Sequence, residues 1–341
     1  MQVGRYHRQE IFYPIGKEGQ EKLAAGRVCI IGIGALGGSV AAMLAQAGVG
    51  YLRLIDRDIV ELTNLQRQVL FTEKDVEDQV PKAEAAREHL SRMNSEIEID
   101  AMIIDANPYN IEKLITDVDV VVDGLDNLET RYLLNEACQK NGIKYVYGGI
   151  VGSGGMVMNV LPGDGPCLEC LLGPLPEEGS YDTCDTVGVI SPITNIVASY
   201  EAAEAMKILI GSESLLHQAI SVDAWDSYTE FFDVDQDPEC PVCGKHQFTR
   251  LEHRQKTYSA SLCGHDAYQI TPEDDGSFDY DAVVAALEQE GTVEKKKFFT
   301  TFVNDEADLK LFPDGRAIIN HVASGEAAQE VFAKYIDRQE R

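Results

Sequence analysis

The stretch VCIIGIGALGG, Val28–Gly38, decides the fold. A short apolar run that ends in glycines is the pattern of a strand buried on both faces. Gly32, Gly34 and Gly37 follow in G-x-G-x-x-G spacing, between that strand and a helical pattern over residues 37–49. Glycines there let the backbone approach phosphates, and a helix N-terminus favours negative charge. Further on, Asp56 ends a second apolar run, YLRLID (51–56), where an acid can bind ribose hydroxyls. The spacing predicts a nucleotide site and leaves NAD, FAD and ATP open.

Strand and helix patterns continue to alternate outward from this point. A polar-faced helix over 82–94 opens at Pro81, and strands follow at 96–104 and 119–126. A helix over 129–142 stops at glycine, and residues 144–162 give further strands with glycine-rich turns. Residues 191–211 read as a buried helix, with Ser191 as cap, Pro192 in the first turn and Gly211 at the end. The alternation predicts an α/β, Rossmann-like, mostly parallel sheet flanked by helices. Between sheet and buried helix lies a long Pro/Gly/acidic loop, 173–188, of the kind that often serves as a lid or crossover. The character changes after residue 247. Residues 257–341 read strand, helix, strand, hairpin, strand, helix, with Pro-Asp-Gly (313–315) as the hairpin turn. The expected organisation is a nucleotide-binding domain over 1–247 and a small α+β domain over 248–341.

Composition narrows the function classes. Acidic residues number 57 against 29 basic, for a net charge of −28. Such a surface repels nucleic-acid backbones and anionic membranes. The sequence MQVGRYHRQEIF has no apolar signal core, and no run of about 18 apolar residues exists, so a cytoplasmic protein is expected. Eight cysteines in 341 residues are no disulfide framework. Four of them form the pairs Cys167/Cys170 and Cys240/Cys243, and two such knuckles can hold one tetrahedral Zn²⁺ with no open position, a structural site. Cys29 and Cys138 fall on apolar faces and read as packing residues; Cys263 and the scattered His265 and His321 carry no ligand pattern. Lys295–Lys297, the only basic cluster of the tail, reads as a solvated strand end.

The stretch TNLQRQVLF (63–71) asks for more than a dehydrogenase. Asn64, Arg67 and Lys82 follow the ribose-binding strand within one crossover. Arginine and lysine can neutralise a polyphosphate and its departing pyrophosphate. Adenylation needs such cations, Mg²⁺, and a carboxylate held for in-line attack. Asp126, ending the strand VVVDGLD, stands where a Mg²⁺ ligand can face the crevice.

Taken in order, RYHRQ (5–9), GIGALGG, DRD (56–58), NLQRQ, PKAE (81–84), DGLDN (123–127) and the two CxxC pairs resemble the ThiF/MoeB/HesA adenylyltransferases, bacterial relatives of the ubiquitin-activating enzymes. The resemblance covers residues 5–247. It implies a homodimer that binds Mg-ATP and adenylates the C-terminal glycine of a ubiquitin-like sulfur carrier, of the ThiS type for thiamine thiazole synthesis, with the MoaD type for molybdopterin synthesis as the alternative. A separate sulfur donor, such as a cysteine desulfurase, then makes the thiocarboxylate. Residue by residue, it implies that Asp56 holds the ribose and that Asn64, Arg67 and Lys82 contact the phosphates. Asp126 then holds Mg²⁺, and Arg8 reaches the γ-phosphate in the other subunit. Cys184, in the crossover loop, matches a cysteine that takes part in sulfur or carrier conjugation in some members. Its neighbours Asp182 and Asp185 act against a reactive thiolate. An NAD-dependent oxidoreductase and a non-catalytic nucleotide sensor are the competing readings; the first gives Arg8, Arg67 and the zinc site no common role, and the intact set of charged residues argues against the second.

Overall fold

A computed structural model of the chain describes residues 4–177, 180–252, 257–261, 267–272 and 278–337. Cys263, His265 and the side chain of Asp185 lie outside the described residues. The chain forms two compact units, Met1–His253 and Arg254–Arg341.

The first unit is built on an eight-stranded sheet. Its strands are β1 (Arg27–Ile31), β2 (Tyr51–Ile55), β3 (Glu98–Met102), β4 (Val120–Asp123), β5 (Lys144–Val151), β6 (Gly154–Val160), β7 (Ala219–Asp223) and β8 (Tyr228–Phe232). They lie in the order β3-β2-β1-β4-β5-β6-β7-β8. The five strands from β3 to β5 are parallel, and β6, β7 and β8 are added antiparallel. Side chains alternate across β1, so its residues feed two cores. Val28 and Ile30 face the helices Ala35–Ala47, Lys82–Met93 and Ser191–Ile210. Cys29 and Ile31 face the helices Ile111–Leu114, Leu128–Asn141 and Leu168–Leu172. Both Cys29 and Cys138 are fully buried packing residues, as expected. No helix among the described residues is long and apolar enough to cross a membrane.

Strand order reverses at β1, which has β2 on one side and β4 on the other. A ligand crevice opens at the carboxyl ends of strands at such a switch point. Two glycine turns meet there, Gly32 after β1 and Gly124 after β4. Gly32 has φ +86°, a left-handed backbone, and a Cβ on Gly124 would overlap the Gly32 carbonyl. Gly34 differs: a Cβ there would meet only Gln68 Nε2, at 3.6 Å. Gly124→Ala is therefore expected to destabilise the unit by roughly 3 kcal/mol, since the clash is with backbone that cannot step aside. Gly34→Ala should leave the denaturant midpoint within experimental scatter and impair only nucleotide binding. Urea melts and ATP titrations of both variants check the contrast.

The helix Ser191–Ile210 is buried along much of its length and ends at Gly211 in the left-handed conformation, as its sequence predicts. Ser191 does not cap it. Ile190 occupies the cap position, no side chain caps the first turn, and Ser191 is the first helical residue. Proline in the first turn needs no donor there, so the helix starts without a serine cap.

The second unit has six strands: β9 (Thr257–Ser261), β10 (Ala267–Pro272), β11 (Thr292–Lys295), β12 (Thr300–Val303), β13 (Asp308–Leu311) and β14 (Ala317–Asn320). They form one antiparallel sheet in the order β11-β12-β13-β14-β10-β9. The helices Tyr280–Leu287 and Gly325–Tyr335 close its core through Val284, Leu287, Phe332 and Tyr335. The hairpin β13–β14 stands where the Pro-Asp-Gly turn predicts it. The strand expected between hairpin and last helix is not there: Ser324 caps that helix directly, accepting from the N–H of Ala327. The sequence order predicts one strand before the first helix and one between it and the hairpin; the structure has two in each place, β9 with β10 and β11 with β12. His321 is exposed.

Candidate active site

The crevice at β1 and β4 gathers residues from three crossovers. Asp56, buried just past β2, accepts from the N–H of Ile33 (2.7 Å) and of Asp58 (2.7 Å). The carboxylate thus ties the end of β2 to the glycine loop. Lys82 opens the next helix; its N–H donates to the Asp58 carbonyl (2.8 Å) and its Nζ to Asp58 Oδ2 (2.8 Å). Lys82 is 8% exposed and Asp56 also 8%. Burial alone would depress Lys82, but Asp58 and Asp56 outweigh it and hold the ammonium above its ordinary value. Burial pushes the Asp56 carboxyl up to about 6 against the pull of Lys82, with Asp58 adding to the rise. Lys82 also lies within electrostatic reach of Asp126. The structure therefore groups Asp56 and Lys82 around Asp58, a partner that the DRD motif contained without marking its role, with Asp126 within electrostatic reach of the Lys82 ammonium.

Asp126 is exposed on the loop after β4. That loop is fixed from beneath by a buried ion pair. Asp123 accepts from the Leu125 N–H (2.9 Å), from Arg131 Nε (3.1 Å) and from the Tyr145 hydroxyl. Arg131 Nη2 donates to the carbonyls of Leu125 and Gly148. Asn127 then caps the helix Leu128–Asn141 by accepting from the Thr130 N–H (2.9 Å). Sequence reading missed Arg131, because its partners stand 6, 8 and 17 residues away on other elements.

The NLQRQ segment forms a short turn, with the 3-10 helix Leu62–Asn64 at its start. Asn64 is buried, and its Oδ1 accepts from the Glu61 N–H (3.0 Å), holding the turn. Arg67 is half-buried, and its Nη1 donates to the Thr63 carbonyl (3.1 Å). Arg8 is not brought to the crevice of its own chain. It lies on the exposed helix His7–Ile11, and the neighbouring Gln9 is bonded to the Ala47 carbonyl (2.9 Å), at the far end of the helix Ala35–Ala47. Thirteen residues of helix separate that point from Gly34, about 20 Å at 1.5 Å per residue. Cys184 begins the short helix Cys184–Val187 within the 173–188 segment, and its Sγ lies 3.4 Å from the Ile150 carbonyl at the end of β5.

The four knuckle cysteines converge as their spacing predicts. The sulfurs of Cys167, Cys170, Cys240 and Cys243 all lie within 4.8 Å of one another, with Cys167–Cys240 at 3.7 Å and Cys170–Cys243 at 3.4 Å. None is in a disulfide. A tetrahedral metal about 2.3 Å from each sulfur spaces them roughly 3.8 Å apart, so the cluster fits a thiolate-bound metal ion. Behind it, Arg250 pairs with buried Glu136 (2.8 Å) and with Glu169 (3.3 Å), which holds residues 249–252 to the helices Leu128–Asn141 and Leu168–Leu172.

A family model described as the ThiF family matches residues 6–242. The chain belongs to the ThiF family. Among curated proteins it is 41% identical over 340 residues to the sulfur carrier protein ThiS adenylyltransferase of Bacillus subtilis (strain 168), covering 98% of this chain and 99% of that one. It is 38% identical over 252 residues to the SAMP-activating enzyme E1 of Haloferax volcanii, covering 74% of this chain and 92% of the relative. Among solved structures, MccB of E. coli with ATP superposes with a TM-score of 0.62 at 27% identity, covering 71% of this ThiF-family chain and 75% of MccB.

Proposed function

We propose that this chain adenylates the C-terminal glycine of a ubiquitin-like sulfur carrier of the ThiS type, with ATP as the AMP donor. The grouping of Asp56 and Lys82 around Asp58, tied to the glycine loop through the Ile33 N–H and within electrostatic reach of Asp126, carries the reading. Near-identity in length with the Bacillus ThiS adenylyltransferase supports the choice of carrier, because that relative spans both units.

In this reading Asp56 accepts from the ribose hydroxyls and the loop from Gly32 to Gly37 receives the phosphates. Asn64, Arg67 and Lys82 bind and neutralise them. Asp126 supplies the protein ligand for Mg²⁺, an ion that takes one or two carboxylates and completes its shell with phosphates and water. The carrier's terminal carboxylate is already ionised, so no general base is required. One of its oxygens forms a bond to the α-phosphorus, the bond from that phosphorus to the bridging oxygen breaks, and pyrophosphate leaves. The product is an acyl-adenylate, from which a separate sulfur donor displaces AMP. Arg8 reaches the triphosphate of a second subunit in a homodimer, a reading supported by its distance from its own crevice. The cysteine cluster holds a structural Zn²⁺. Cys184, beside the end of β5, is a candidate acceptor in conjugation.

Acid should weaken nucleotide binding. As pH falls through about 6 the Asp56 carboxylate takes up a proton and loses acceptor capacity for the ribose. ATP affinity is expected to drop by up to about tenfold per pH unit below that point. The sign for the fold is opposite. A carboxyl raised by burial costs stability when it ionises, so protonating Asp56 does not itself weaken the fold. Calorimetric ATP titrations from pH 5 to 8 test this, and Asp56→Asn should bind weakly with a flat profile.

ATP–pyrophosphate exchange, with and without a ThiS-type or a MoaD-type carrier ending in Gly-Gly, tests the assignment. Exchange with the ThiS-type carrier alone is the expected result. Exchange with the MoaD-type carrier alone moves the enzyme to the other pathway, and ATP binding without exchange contradicts the proposal.

A further inference from the structure

One polar side chain beside the nucleotide loop has no role in the assignments above. Gln68 is the last residue of NLQRQ and is 5% exposed. Its backbone N–H continues the turn by donating to the Asn64 carbonyl (2.9 Å). Its side-chain Oε1 is buried and accepts no hydrogen bond, and its Nε2 is turned to the nucleotide loop. Nε2 sits against Gly34, 3.6 Å from where a Cβ would stand. A buried amide oxygen normally finds a partner, and leaving it unmet is costly. Turning the amide over exchanges its ends and still leaves one without a partner. The contrast with Asn64 is direct, since that amide is spent on holding its own turn.

The position of Gly34 indicates which ligand group would meet this amide. Gly34 precedes the first turn of the helix Ala35–Ala47, whose N–H groups face incoming phosphate. Asp56, the proposed ribose acceptor, is bonded to the N–H of Ile33, the residue next to Gly34. The phosphate nearest a ribose held there is the α-phosphate, the one that the carrier's carboxylate attacks. We propose that Gln68 is a catalytic residue whose amide donates from Nε2 to a non-bridging oxygen of the α-phosphoryl group. Charge on those oxygens changes during in-line displacement, and a donor fixed in advance in a buried site stabilises the transition state most effectively. The inference rests on the adenylation reading and extends it to the atom under attack.

The test is ATP–pyrophosphate exchange by wild type, Gln68→Leu and Gln68→Glu with the carrier that supports exchange. Each is assayed with ATP and with the Rp and Sp diastereomers of ATPαS, in which sulfur replaces one α-phosphoryl oxygen or the other. Gln68→Leu is expected to lower kcat about a hundredfold with a much smaller change in KM for ATP. The wild-type ratio of rates for the two diastereomers should collapse towards that of the variant background, because sulfur facing Gln68 is a poor acceptor. Gln68→Glu, of nearly equal volume, should lose the donor without loss of packing, and melting curves establish that it folds. An unchanged diastereomer ratio, or wild-type kcat in either folded variant, overturns the assignment of Gln68 alone. No exchange by the wild type with any carrier overturns the adenylation reading and this proposal with it.

Discussion

Asp126→Ala is expected to fold and melt like the parent protein while exchanging pyrophosphate at least about a thousandfold more slowly. The two halves of that expectation have separate physical grounds. Asp126 is exposed, and the side-chain contact recorded for it is a long one, from Asn127 Nδ2 at 3.3 Å. The loop does not depend on it, because Asp123, Arg131 and the Leu125 backbone set the turn and Asn127 caps the following helix. Exposed substitutions away from such features usually change stability by less than about 0.5 kcal/mol. Function is different, since in the proposed reading Asp126 is the carboxylate that holds Mg²⁺ against the triphosphate. Asp126→Asn keeps the shape and removes the charge, so it should recover little of the lost rate. Exchange assays at saturating Mg²⁺, paired with thermal melts, check both halves. Wild-type turnover in a folded Asp126→Ala protein would remove this residue from the site.

The second large effect is expected at the cysteine cluster. The purified chain should carry one zinc ion, and Cys243→Ser should lower the melting temperature by more than about 10 °C. Cys167, Cys240 and Cys243 are buried and belong to the same core as the helix Leu128–Asn141. Four thiols brought this close gain little from one another without a cation, whereas structural zinc contributes on the order of 10 kcal/mol of binding free energy in small domains. A cation bound there would fasten residues 240–243 to the helix that starts at Leu168, two segments some seventy residues apart. Elemental analysis by mass spectrometry gives the stoichiometry, and melts with and without a strong chelator give the stability. A metal-free protein that melts at the same temperature as the chelator-treated one would contradict a structural metal.

The central fold was legible because its signals are local. The strand–glycine–helix run at Val28–Gly38 lies within one crossover, and the two CxxC knuckles declare their chemistry by spacing alone. The hairpin turn at Pro313–Gly315 is equally local. What escaped depends on distance along the chain. Arg131 reads as one more charged residue of a helix until β5 brings the Gly148 carbonyl to it. Arg250 stood past the predicted domain boundary, and its bond to Glu136 spans 114 residues. Ser191 was expected to cap a helix that begins one residue earlier than a serine cap requires. Gln68 was in plain sight within NLQRQ, but only burial beside Gly34 distinguishes it from the exposed Gln66. Arg8 shows the limit from the other side, as its motif was evident and its place in a single chain is far from the crevice.

The most direct test of the account follows the label. The protein is incubated with a ThiS-type carrier, Mg²⁺ and ATP carrying ³²P in either the α or the γ position. The account predicts that α-label becomes attached to the carrier in acid-stable form, that γ-label is released as pyrophosphate, and that a carrier lacking its last glycine takes up neither. Transfer of γ-label to the carrier, or no transfer of α-label under conditions where ATP is bound, would contradict it.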